Sequence, residues 1–138
     1  MTSTAAVPTR VLACLGDLVE DVIVRLAGPV NVASDTHAQI SGRRGGSAAN
    51  VAARAATLGH PARFLGQVGV DAIGTARLAE LDADGVDTTM ARRGGSTGTI
   101  VALVDHHGER TMLTDRGSCL DLAEPDPSWL DGVGVLHV

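Results

Sequence analysis

The chain has 138 residues, 44% hydrophobic and 20% charged, with a net charge of -5, which is the composition of a folded domain with a single core. The acidic balance argues against a nucleic-acid or anionic-membrane surface, and the sparse aromatics, Phe64 and Trp129, cannot make a base-stacking platform. All eleven basic residues are arginine, which excludes a Walker A lysine, a Schiff-base lysine and a protein-kinase-type lysine from these residues.

Residues 1–9 read as a flexible leader ending at Pro8, without the basic start and apolar stretch of a secretion signal. No apolar run approaches the ~18 residues of a membrane-spanning helix. Arg10 to Gly16 is a short apolar run bounded by glycine, the pattern of a buried strand. Val22, Val24 and Leu26 then alternate, predicting a half-buried strand over Val19 to Ala27 that Gly28-Pro29 ends. A weaker strand is expected over Thr36 to Ser41, followed by a loop through Gly42-Arg43-Arg44-Gly45-Gly46.

Ser47 is the expected N-cap of the next helix, in which Ala48, Val51, Ala52, Ala55 and Leu58 share one face. Gly59 and Pro61 terminate it. Ala62 to Val68 reads as a strand, Asp71 as an N-cap, and Ala72 to Ala83 as a helix closed by Gly85. This strand and helix alternation predicts an α/β fold with parallel pairing. Thr97 to Val104 and Glu109 to Thr114 flank Asp105-His106-His107-Gly108, a hairpin signature. A short helical turn at Ser128 to Leu130 leads into a buried strand from Gly132 to Val138. That strand has no successor, so an unpaired sheet edge and apolar faces are expected to stand open there. Cys14 and Cys119, far apart and outside any CxxC or zinc spacing, read as buried reduced thiols in a cytoplasmic protein.

The segment Gly45 to Gly69, GGSAANVAARAATLGHPARFLGQVG, resembles the N-terminal signature of the PfkB (ribokinase-like) carbohydrate kinase family. Gly45, Gly46, Ala48, Asn50, Ala52, Gly59 and Gly69 all occupy its fixed positions. GDLVEDVIV from Gly16 resembles the family's first strand and its turn into a lid, which places the family's sugar-binding aspartate at Asp21. Gly69-Val70-Asp71-Ala72-Ile73-Gly74 resembles its G-x-D-x-x-G. Thr97-Gly98 and the GERT of Gly108 to Thr111 resemble the strands that complete the lid.

The resemblance implies a ribokinase-like α/β fold, a mostly parallel sheet flanked by helices, with lid strands at about 19–41 and 97–114. It implies an ATP-dependent kinase that transfers the γ-phosphate to a sugar hydroxyl, with ATP and Mg2+ as cofactors. Asp21 would accept from sugar hydroxyls, Gly45 and Gly46 would offer backbone N–H groups, and Asn50 its amide. The family's catalytic G-A-G-D motif and its ATP site belong to the C-terminal half of the fold. No G-A-G-D occurs here, so this chain is expected to hold the sugar side and to lack catalytic, cofactor-binding and metal-binding residues. The alternative is a catalytically inactive sugar-binding module, or one that forms a homodimer through its β lid. A Rossmann dinucleotide domain is disfavoured, because no G-x-G-x-x-G follows the first strand.

Other candidates have plainer readings. Asp17 ends a strand where α/β folds place ligands. Asp71 reads as a cap, His106-His107 as a solvated turn, and Arg43-Arg44 as a surface loop. Family members that phosphorylate 2-keto-3-deoxygluconate place a carboxylate-binding arginine where this chain has Asp115. Arg116 is expected to face the other side of its strand, so a neutral sugar or nucleoside is the expected substrate.

Overall fold

In the computed structural model, which describes residues 10–138, two larger sheets and one two-stranded sheet share the described residues. The leader expected over 1–9 lies outside the described residues. The first sheet is parallel: β1 (Val11–Leu15) lies between β4 (Ala62–Leu65) and β9 (Val133–His137). Strand alternation sends neighbouring side chains to opposite faces. Cys14 and Phe64 therefore meet α1 (Ser47–Thr57) and α2 (Ala72–Ala83) on one side, while Ala13 and Leu65 meet Trp129 on the other. β9 lies at the sheet edge, with Val135 and Leu136 exposed.

The helix α1 buries Ala48, Ala49, Ala52 and Ala53, whose small side chains let it lie close to β1 and β4. Of the expected face, Ala48 and Ala52 are buried and Val51 and Ala55 pack partly buried against the same core, while Ala49 and Ala53 rotate its centre. Leu58, expected on that face, forms the C-cap and is 63% exposed. The expected cap also moves: Ser47 is the first helical residue and Gly46 is the N-cap, at φ 101, a conformation that favours glycine.

The expected strand over 62–68 is broken at Gly66, where the backbone carbonyl of Gly16 approaches too closely for a side chain. Beyond the break, β5 (Gln67–Val68) pairs with a short strand that the sequence pattern does not show, β6 (Arg92–Arg93).

The second sheet is the lid. Its strands are β2 (Val19–Leu26), β3 (Ala38–Gly45), β7 (Thr97–Val104) and β8 (Arg110–Gly117), in the order β3-β2-β7-β8. Its outer pairs are antiparallel and its central β2–β7 pair is parallel. The loop expected at 42–46 is mostly strand. β3 runs to Gly45 because Arg43 and Arg44 stand opposite Asp21 and Glu20 in register, and opposite charges support that pairing. β8 likewise continues to Gly117. At the tip, Asp105 accepts from the N–H groups of His107 and Glu109, and the imidazoles of His106 and His107 lie tilted against each other in an exposed turn.

Candidate functional site

The site is built where the lid meets the first sheet. β2 leaves the end of β1 through Gly16, Asp17 and Leu18, and β3 returns to Gly46, where α1 begins. At Gly46 the backbone passes so near the Asp17 carbonyl that any side chain would collide with it. Because Gly46 has no side chain to cap the helix, the first-turn N–H groups of α1 lack a side-chain partner. Such N–H groups suit an oxygen-rich ligand.

Asp21 projects from β2 toward Gly45, and a Cβ on Gly45 would overlap its carboxylate. Glycine at position 45 is therefore the space in which that carboxylate sits. Arg43, its cross-strand neighbour, approaches Asp21 to 3.8 Å and is itself 65% exposed, a loose pair that solvent screens. One turn into α1, Asn50 donates its N–H to the Gly46 carbonyl at 3.0 Å and is exposed. The fold thus joins Asp21 to Gly45 by contact and Gly46 to Asn50 by a helical hydrogen bond.

An adjoining cavity of about 290 Å³ is lined by Gly16, Asp17, Ser47, Ala48, Arg116 and His137, among others. Asp21 and Asn50 stand outside that lining. Arg116 closes onto Asp17, with Nε and Nη2 donating to the two carboxylate oxygens at 2.8 and 2.7 Å. This two-pronged contact spans 99 positions of sequence and ties lid strand β8 to the end of β1. Asp17 keeps the Arg116 guanidinium firmly charged, its pKa raised by the hydrogen bonds and the charge. Cys119, half-buried rather than buried, lies nearby, and burial first and the Asp17 charge second push its thiol up. A thiol held protonated is a poor nucleophile.

Asp71 serves structure. Its carboxylate caps α2 by accepting from Gly74 N–H at 2.8 Å, and it accepts from Thr97 N–H at 2.7 Å and Thr97 Oγ1 at 2.5 Å. It therefore pins the start of β7 to the helix, and Gly69 and Gly74 lack the Cβ atoms that would overlap Thr97 and its surroundings. The same hydrogen bonds, those of Thr97 foremost, hold Asp71 below the usual carboxylate range.

The residue that sequence reasoning missed is Glu20. It is only 8% exposed and faces α2, away from Asp21, where Arg77 grips it with Nε to Oε2 at 2.5 Å and Nη2 to Oε1 at 2.9 Å. An acidic residue inside an apolar alternating strand was the available signal. Among the described residues, no three histidine, cysteine or acidic side chains group as a metal site would require.

The family model described as pfkB family carbohydrate kinase matches residues 10–135. The chain belongs to that family. Solved structures agree on the fold. The fructokinase of Halothermothrix orenii superposes with a TM-score of 0.79 at 23% identity, over 91% of this chain and 45% of its own. A ribokinase from Cryptococcus neoformans var. grubii serotype A, in complex with ADP, gives 0.75 at 24% identity over 93% and 41%. The Arabidopsis thaliana ribokinase complexed with ribose and ATP gives 0.71 at 26% identity over 79% and 36%. The chain thus spans less than half the length of the proteins it matches, and no helix among its described residues is long and apolar enough to cross a membrane.

Proposed function

We propose that this chain is the sugar-binding portion of an ATP-dependent carbohydrate kinase and that Asp21, Gly45, Gly46 and Asn50 contact the sugar. One observation carries the reading: the Asp21 carboxylate sits against Gly45, at the strand end that leads through Gly46 to the uncapped first turn of α1. A carboxylate accepts from hydroxyls, open N–H groups donate to them, and Asn50 does both, which together suit vicinal hydroxyls. A charge-assisted bond from a sugar hydroxyl to Asp21 contributes about 1.5–3 kcal/mol.

The resemblance implies γ-phosphate transfer from Mg-ATP, and we place the protein in the cytoplasm. The G-A-G-D residues that would carry it are absent from these 138 residues. We therefore assign this chain substrate recognition and no catalytic residue. Neutral sugars or nucleosides fit better than sugar acids: Asp115 is a carboxylate, and Arg116 is already paired with Asp17. A homodimer through the lid is compatible with the exposed Ile40, Met112 and Leu113 on its strands.

Calorimetric titration with D-ribose, D-fructose and adenosine tests the assignment. Saturable binding that Asp21→Ala abolishes supports it, and a folded sample that binds none of the three overturns it. Phosphorylation of a sugar panel by this chain alone separates the parts: robust turnover would refute the claim that it carries no catalytic residue.

A further inference from the structure

Charged side chains join the lid to α2. Glu20 and Arg44 are direct cross-strand partners at the base of β2 and β3, and both side chains reach α2 or its C-cap. Glu20 meets Arg77, which also pairs with Glu80, while Arg44 Nη1 meets Asp84 Oδ2 at 2.8 Å. Gly42 makes room for this arrangement, since a Cβ there would overlap Glu20 Oε1. The two arms are unequal. Arg44 bonds Asp84 through one nitrogen, and its Nε is buried without a hydrogen-bond partner. Arg77 holds both oxygens of Glu20.

A two-pronged arginine–carboxylate contact fixes direction as well as distance. Replacing a buried ion pair by apolar residues is often neutral for stability, so stability alone does not account for the Glu20–Arg77 pair. Neighbouring strand residues point to opposite faces, so a strand held at Glu20 on one face has its Asp21 carboxylate aimed on the other. The landing place of that carboxylate is the space left at Gly45.

We propose that Arg77 is a positioning residue for the sugar site, acting through Glu20 to fix where the lid holds Asp21. The inference rests on the reading of Asp21 as a sugar ligand. Its test therefore includes a ligand-free readout, the amide resonance of Gly45, which reports the position of the adjacent carboxylate. Two variants of the full chain are compared with the parent: Arg77→Lys, which keeps the charge but loses the two-pronged grip, and the paired Glu20→Leu/Arg77→Met, which removes both charges.

Both variants are expected to shift the Gly45 amide and to weaken D-ribose or D-fructose binding, the paired one by roughly tenfold or more and Arg77→Lys by less. A Gly45 resonance and a sugar affinity unchanged in Arg77→Lys, or in a paired variant that melts cooperatively, would overturn the proposal. Asp21→Ala keeps the two readings apart. If Asp21→Ala leaves sugar affinity intact, the sugar-site assignment falls. If it abolishes binding while the Arg77 variants behave as the parent, only the positioning role falls.

Discussion

The α/β body and the lid are held together by different physics. In the body, Phe64, Leu18, Leu65 and Leu81 are at most 1% exposed, and four alanines bring α1 down onto the sheet. In the lid, Val19, Ile23 and Ala102 are buried, but Ile40, Met112 and Leu113 remain more than half exposed, and the base is fastened by Glu20–Arg77, Arg44–Asp84 and Asp17–Arg116. Burial is non-directional and yields a rigid platform. Ion pairs and glycine-sized gaps are directional, which suits an element that must aim a carboxylate.

Truncation in each region separates the two modes. Phe64→Ala empties the centre of the body and is expected to cost about 3–5 kcal/mol, measured by equilibrium denaturation. Arg77→Met alone leaves Glu20 buried without the guanidinium that grips it. The expected cost is about 2–3 kcal/mol, below that of a fully buried pair because Arg77 keeps 17% exposure. In contrast to Phe64→Ala, most of this loss is expected to return when Glu20→Leu is added. If the paired variant stays as unstable as Arg77→Met, the lid base is not governed by charge.

The seam between the two regions is Asp71. Asp71→Ala removes the α2 cap and the anchor of Thr97, at an expected cost of about 1–2 kcal/mol. Because the folded pKa of Asp71 is lowered, its stabilisation is present at neutral pH and is lost as pH falls below about 4, through the lowered value. The stability difference between parent and Asp71→Ala is therefore flat near pH 7 and shrinks in acid. A difference that grows on acidification would contradict the assigned hydrogen bonds. The smallest effect belongs to Leu58→Ala, expected within about 0.5 kcal/mol by the same denaturation measurement. A larger loss would mean that Leu58 joins the packed face of α1.

The body was more legible from sequence than the lid, for a physical reason. Apolar periodicity reports burial directly, so β1, β4, β9 and both helices follow from local pattern. The rotation of α1 escaped because Ala49 and Ala53 are as apolar as the alanines of the expected face, and only packing against β1 and β4 chooses between them. In the lid, β3 hides behind Gly42-Arg43-Arg44-Gly45, a stretch that reads as a loop until its acidic partners on β2 are known. Glu20–Arg77 spans 57 positions and Asp17–Arg116 spans 99, distances over which no local signal operates. The positions in the glycine signature were visible, but the reasons for them came only from the structure: Gly45 clears space for Asp21, and Gly46 lets the chain pass Asp17.

The central claim is that the Asp21–Gly45–Gly46–Asn50 surface recognises a sugar. Its most direct measurement is an amide-shift titration of the chain with D-ribose and D-fructose, repeated on Asp21→Ala. The account predicts saturable shifts concentrated at Gly45, Gly46 and Asn50 in the parent and their loss in the variant. Shifts that leave those three residues unmoved, or that persist unchanged in Asp21→Ala, would contradict it.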